Sequence, residues 1–123
     1  MELADLSDRV IRCAIEVHRC LGPGLLESAY SQCLAYELAA AGITFEREKA
    51  VGVTYKEVQI DCGFRLDMLV ENCMIVELKA TDRLLPIHRA QLLTYLRISK
   101  MKVGLLINFN SRVLKDGLLR LVL

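Results

Sequence analysis

Tryptophan is absent from this chain of 123 residues, and proline and glycine are scarce, at 2 and 7 residues. So little of either excludes a collagen-like repeat, and 54% hydrophobic against 25% charged side chains excludes an intrinsically disordered chain. No apolar run approaches the roughly 18 residues of a membrane span, and the N-terminus lacks the basic-then-apolar pattern of a secretory signal. We expect one domain, residues 1–123, in the cytosol and without a membrane span.

Paired cysteines are also missing. The five cysteines are odd in number and widely separated: Cys13, Cys20, Cys33, Cys62 and Cys73. This spacing suits neither a closed set of disulfides nor a CxxC zinc site, so we interpret them as reduced, buried thiols. His18 and His88 stand alone, without a second His or Cys at ligand spacing, and a structural or surface role is predicted for both.

Acidic residues nearly disappear toward the end of the chain. Residues 79–123 hold 9 Lys or Arg and only 2 Asp or Glu, whereas residues 1–78 hold 7 and 13, so the net charge of +1 hides a basic C-terminal part. Basic side chains that share a face can follow the phosphate backbone of DNA or RNA, although a solvated basic surface explains them equally well. A nucleic acid is the partner that this pattern favours.

Apolar residues, by contrast, are abundant for so short a chain. Their burial requires a sheet covered on both faces, or a patch covered by a second copy of the chain. We therefore expect a homo-oligomer.

Hydrophobic spacing predicts three helices, over residues 5–20, about 25–41 and about 87–99. Alternation predicts one or two strands between Ile43 and Tyr55 and clearer strands over 63–70 and 73–80. Residues 103–109 are typical of a central strand covered on both faces, and residues 114–123 fit a short helix or an edge strand. This order indicates an α/β fold with a mixed central sheet flanked by helices.

Three charged residues interrupt the apolar strands: Asp67 in FRLDMLV, and Glu77 and Lys79 in MIVELKA. Glu77 and Lys79 are two apart in a strand and therefore share a face. The hairpin register decides whether Asp67 joins them. With a two-residue loop at 71–72, opposed residue numbers add to 143 and Asp67 lies on the other face. With a three-residue loop at 71–73, or a two-residue loop and one bulge, they add to 144 and Asp67 opposes Glu77.

If the three side chains meet, their chemistry favours metal-assisted phosphodiester hydrolysis. The carboxylates of Asp67 and Glu77 suit Mg²⁺ or Mn²⁺, and such an ion polarises the phosphorus centre and lowers the pKa of its water. Lys79 can orient or help to deprotonate that water. A surface Asp beside an exposed Glu–Lys pair would explain the short pattern about as well. The apolar neighbours argue against that alternative, because a buried carboxylate pair without a counter-ion is costly.

Four separated segments of the chain resemble a single family. GLLESAY carries Gly24, Glu27 and Tyr30 in the pattern GxxExxY. The similarity runs through VHRCLGPGLLESAYSQCLAYEL, FRLDMLVENCMIVELKA, LLPIHRAQLLTYL and GLLINFN. In these segments the chain resembles the GxxExxY family of small prokaryotic proteins, which belongs to the PD-(D/E)XK nuclease superfamily.

The resemblance implies a restriction-endonuclease-like fold and an Mg²⁺-dependent nuclease or phosphodiesterase, with Mn²⁺ as an alternative ion. It assigns six residues to the catalytic site: Lys79, Glu77, Asp67, Glu27, Gln91 and Tyr95. Of these, Asp67, Glu77 and Glu27 are the implied metal ligands, and Gln91 and Tyr95 match a Gln-x-x-x-Tyr pair near the scissile phosphate. Arg89 departs from the pattern, since an acidic residue is expected there.

Two other functions stay open: a catalytically silent nuclease-fold protein that acts as a binding or accessory module, and a hydrolase of a small phosphate ester. Simpler roles also fit single residues, such as helix-dipole stabilisation by Glu27 and core packing by Tyr30. No segment is typical of a base-reading motif, which argues against a sequence-specific restriction enzyme.

Overall fold

The computed structural model describes residues 2–61 and 63–123. Its elements follow the chain in this order: α1 (Leu3–Leu21), α2 (Glu27–Ala40), β1 (Phe45–Ala50), β2 (Val53–Tyr55), β3 (Val58–Ile60), β4 (Arg65–Val70), β5 (Met74–Lys79), α3 (Pro86–Ser99), β6 (Val103–Asn108), a 3-10 turn (Leu114–Gly117) and β7 (Leu118–Val122).

Five of the strands form one mixed sheet in the order β1-β4-β5-β6-β7. β5 and β6 pair in parallel, and the other neighbours are antiparallel. Every residue of β6 and all but the last of β5 is buried, as both faces of a central strand require. The predicted α/β fold with a mixed sheet flanked by helices is confirmed.

Helices cover both faces of this sheet. α1 and α2 pack on one face, and α3 packs on the other. α3 lies so close to β6 that a Cβ at Gly104 would be 2.8 Å from Cδ1 of Leu92, so a larger residue there would displace the buried Leu92 side chain. Among the described residues, no helix is long and apolar enough to cross a membrane.

Between α2 and α3 the structure has more strands than the predicted three or so, because β2 and β3 form a separate two-stranded hairpin. The hairpin turn, Lys56 and Glu57, has φ angles of 47° and 70°. This left-handed geometry usually marks Gly or Asn, so nothing in these two residues signals the turn. The ambiguous segment 114–123 contains both a helical turn and the edge strand β7.

The expectation of buried thiols is confirmed only in part. Cys13 is buried, and Cys33 and Cys73 are half-buried. The expectation is wrong for Cys20, which is exposed in the last turn of α1 next to Glu16. Cys62 lies outside the described residues.

Candidate active site

The β4–β5 hairpin has the register that brings the predicted residues together. Its pairs are Met68 with Val76, Leu69 with Ile75, and Val70 with Met74, so that opposed residue numbers add to 144. Three residues, 71–73, form the loop, and Glu71 and Asn72 take left-handed φ angles of 50° and 54°. The structure has the three-residue loop, one of the alternatives that the sequence leaves open, and its register sets Asp67 opposite Glu77.

The backbone hydrogen bonds between β4 and β5 end at the pair Met68–Val76. Beyond it, the next backbone N–H groups donate to side-chain carboxylates. The Asp67 N–H donates to Oε1 of Glu77 at 3.2 Å. The Leu78 N–H donates to Oδ2 of Asp67 at 2.8 Å. The two strands separate here, and each carboxylate satisfies a backbone donor of the opposite strand. This exchange holds Asp67 and Glu77 together at the end of the sheet.

Burial controls the electrostatics of this carboxylate pair. The Glu77 side chain is only 6% exposed, and burial, followed by the charge of Asp67 and a hydrogen bond to it, raises the pKa of Glu77 from 4.5 to about 9. The nearby charge of Lys79 acts in the opposite direction. Near neutral pH, without a cation, Glu77 is therefore protonated and donates a hydrogen bond to Asp67.

A cavity of about 170 Å³ opens on the α2 side of the pair. Glu27, in the first turn of α2, and Asp67 both line it. The remaining lining residues come from α2, β1 and β5: Ser28, Ser31, Arg47, Glu48 and Leu78. The structure therefore brings Glu27 and Asp67, two of the metal ligands that the family resemblance implies, to one cavity.

The donor set suits a hard divalent cation. Asp67 and Glu77 are adjacent, and Glu27 lines the same cavity as Asp67. Mg²⁺ commonly takes one or two carboxylates while it keeps several waters. Within residues 2–61 and 63–123, no three His, Cys, Asp or Glu side chains are close enough to hold an ion as they stand. Metal binding would therefore require a side-chain rotation, which the exposed Glu27 can make.

α3 contributes one of its two predicted residues to the surroundings of the pair. Tyr95 is half-buried and stacks on Phe64, with ring centroids 4.6 Å apart. Burial and the charges of Glu77 and Asp67 raise the pKa of Tyr95. Gln91 is exposed one turn earlier on α3, and the structure gives it no comparable link to the carboxylates.

Tyr30 has a structural role and lies apart from the carboxylates. Its ring is fully buried. Its hydroxyl donates to the Gly22 carbonyl at 2.7 Å and accepts from the Leu25 N–H at 3.1 Å. The last residue of the GxxExxY pattern thus fastens the turn that precedes Glu27, which explains why a tyrosine follows the glutamate by one helical turn.

Sequence reasoning missed several polar residues around the site. Arg47 and Glu48 line the cavity, and Glu48, opposite Asp67, has a φ of 53° that interrupts β1. Nothing in the alternation of β1 signals this irregularity. Asn108 is buried at the end of β6. It is the polar residue in an otherwise apolar run, and this position could have marked it as a residue of interest.

The raised pKa of Glu77 predicts a pH-dependent stability of the metal-free protein. The folded state binds one proton more than the unfolded state between pH 4.5 and about 9, so the free energy of unfolding falls as pH rises through this range. The fall is at most about 1.4 kcal/mol per pH unit. Glu77→Gln keeps an acceptor for Asp67 N–H and removes the titration, so we expect this variant to be the more stable protein at pH 8.

Urea denaturation in EDTA from pH 5 to 9 measures this difference. The comparison between wild type and Glu77→Gln cancels the titration of every other group. A difference that does not change with pH would contradict the assignment of a protonated Glu77.

Comparison with known proteins agrees with this geometry. The profile of the PD-(D/E)XK nuclease superfamily matches residues 4–121. No curated protein and no solved structure matches the chain. The match supports a restriction-endonuclease-like fold and a superfamily whose members generally depend on divalent metals and bind nucleic acids. The narrower GxxExxY family stays a prediction. The chain belongs to the PD-(D/E)XK nuclease superfamily.

Proposed function

We propose that this protein is an Mg²⁺-dependent nuclease of the GxxExxY type that hydrolyses phosphodiester bonds of DNA or RNA, with Mn²⁺ as an alternative ion. The observation that carries the proposal is the reciprocal bonding of Asp67 and Glu77 to each other's strands beside Lys79. Burying Glu77 beside the half-buried Asp67 has a free-energy cost, because the two carboxylates repel each other when both are charged. A cation between them offsets that cost.

Asp67 and Glu77 would hold the ion, and Glu27 would complete its protein ligands from the wall of the cavity. When bound, such an ion polarises a phosphate ester and provides a nucleophile at neutral pH. Lys79 orients the attacking water and stabilises negative charge as it develops on the phosphate. Tyr95 and Gln91 lie on α3, where they would contact the substrate strand next to the reacting phosphate.

Removing the lysine or the aspartate charge should abolish Mg²⁺-dependent cleavage. We expect Lys79→Ala and Asp67→Asn to lower the rate by at least about 100-fold, the usual contribution of such groups. Asp67→Asn keeps an oxygen that accepts from Leu78 N–H, so this variant should fold; Asp67→Ala should be equally inactive. Cleavage of single- and double-stranded DNA and RNA in Mg²⁺ and in Mn²⁺ measures the effect.

Lys102→Ala is the matched control, because Lys102 lies at the opposite end of the sheet, where β6 begins. Retained cleavage in the Lys79 and Asp67 variants would refute the mechanism. Cleavage of mononucleotide esters, or inhibition by mononucleotides, would replace a polymer substrate with a small phosphate ester. Binding of oligonucleotides without cleavage, equal with and without divalent ions, would identify a silent binding module.

The basic residues support a nucleic-acid substrate. Seven basic residues and no acidic residue occur between Asp82 and Asp116, and all seven are exposed: Arg83, Arg89, Arg97, Lys100, Lys102, Arg112 and Lys115. Arg112 and Lys115 follow the end of β6 that adjoins Lys79, and Arg83 and Arg89 flank the start of α3. We propose that these four contact phosphates on either side of the site.

The position of these charges predicts a selective loss of affinity. Arg112→Gln with Lys115→Gln should weaken binding of a labelled oligonucleotide and reduce the slope of log affinity against log salt by up to about 2. Lys100→Asn with Lys102→Gln removes the same charge at the far end of the sheet and should change neither. Anisotropy in EDTA from 50 to 200 mM salt provides the measurement, and equal effects of both pairs would contradict the proposed contacts.

We also propose that the protein acts as a homo-oligomer in the cytosol, a reducing compartment in which free thiols such as Cys20 persist. An isolated two-stranded hairpin is marginal in water, yet Tyr55, Val58 and Ile60 of β2 and β3 are 42–59% exposed. A second copy that covers this hairpin would remove that exposure.

Sedimentation velocity tests the self-association. Wild type should sediment as an oligomer, and Val58→Thr with Ile60→Thr should shift it toward the monomer, because the apolar contact is weakened. Val122→Thr, an exposed site on the β7 edge, serves as the control. A wild-type monomer would refute the proposal.

A further inference from the structure

Three consecutive residues at the end of β6, Asn108, Phe109 and Asn110, connect the two backbone segments that carry Lys79 and Glu27. Asn108 is 1% exposed. Its Nδ2 donates to the Thr81 carbonyl at 2.8 Å, and its Oδ1 accepts from the Thr81 N–H at 3.1 Å. A buried side chain thus holds both polar groups of the backbone two residues after Lys79.

Phe109 contacts β5 through its backbone and α2 through its ring. Its N–H donates to the Lys79 carbonyl at 2.9 Å. Its ring stacks on Tyr30 with centroids 4.6 Å apart and planes within 8°. Because the Tyr30 hydroxyl holds the turn between α1 and α2, Phe109 links the end of β5 to the start of α2.

Asn110 completes the connection. Its Oδ1 accepts from the Gly24 N–H at 2.9 Å. Gly24 has a φ of 104°, which other residues rarely adopt, and it lies three residues before Glu27. No side chain caps the start of α2, so this contact and the two hydrogen bonds of the Tyr30 hydroxyl restrain the approach to Glu27.

We propose that Asn108–Asn110 is a positioning clamp that holds the backbone segments of Glu27 and Lys79 at a fixed separation. The inference rests on the proposed function, because it concerns how these two residues reach a common ion and phosphate. Site groups must be held within about 0.5 Å to act, and outer residues commonly supply that restraint. Neither asparagine needs to touch the ion or the substrate.

If Asn110 positions Glu27, the effect of an Asn110 substitution on Mn²⁺ binding depends on whether Glu27 is present. If Asn110 only stabilises the fold, the effect does not depend on Glu27. Titration calorimetry with Mn²⁺ on wild type, Asn110→Ala, Glu27→Gln and the double variant measures this coupling. We expect Asn110→Ala to weaken Mn²⁺ binding about 10-fold in the wild-type background, in line with losses at outer-shell residues. In the Glu27→Gln background it should have less than about a twofold effect, because the ligand that it positions is already lost.

Ser111→Ala is the matched control, since it alters the neighbouring side chain and leaves the bond to Gly24 in place. Equal losses from Asn110→Ala in both backgrounds would overturn the clamp. They would leave the proposed nuclease intact if wild type still cleaves. Conversely, coupling in Mn²⁺ binding without any cleavage would support the clamp and refute the nuclease.

Amide hydrogen exchange in EDTA gives a readout that needs no metal. The Gly24 amide should be protected in wild type and exchange at least about 10-fold faster in Asn110→Ala, while the Leu105 amide in β6 should be unchanged. Equal protection of Gly24 in both proteins would overturn the inference. A uniform acceleration that includes Leu105 would also overturn it, because it would indicate general destabilisation.

Discussion

The structure depends on two acidic side chains that are held at the open end of an otherwise apolar hairpin. Asp67 and Glu77 accept hydrogen bonds from backbone N–H groups that the separating strands leave without ladder partners. The carboxylates satisfy these backbone donors and, at the same time, place two acidic groups close together, with Glu77 buried and Asp67 half-buried. In the metal-free protein, protonation of Glu77 removes the repulsion between them.

The surrounding fold keeps this arrangement from relaxing. β5 is paired on both sides, in parallel with β6 and antiparallel to β4, and is buried along almost its whole length. α3 returns the chain between the parallel strands, as a parallel connection requires, and brings Tyr95 back toward the carboxylates. The ends of β5 and β6 and the start of α2 lie at the same edge of the sheet. The polar side chains of the candidate site lie at this edge, next to the apolar core.

Much of the secondary structure was predictable, because the spacing of hydrophobic residues is clear in the helices and in the central strands. The helices and the central strands follow from hydrophobic spacing, whereas the pairing of Asp67 with Glu77 stayed open, because the sequence allows two loop lengths at residues 71–73. The interruption at Glu48 was not predictable, because left-handed backbone at a glutamate has no sequence signal. Contacts between residues far apart in the sequence were not predictable either. The hydrogen bond between Asn110 and Gly24 joins residues 86 positions apart, and local sequence patterns do not indicate such pairs.

Tyr95, stacked on Phe64, lies on the α3 side of the carboxylate pair, while the cavity lies on the α2 side. The carboxylate pair therefore has an aromatic side chain on one side and a cavity with charged walls on the other. In the proposed nuclease, a phosphate that enters the cavity would pass between the first turn of α2 and β1. The substrate strand would then lie between the charged wall of the cavity and the Tyr95 ring.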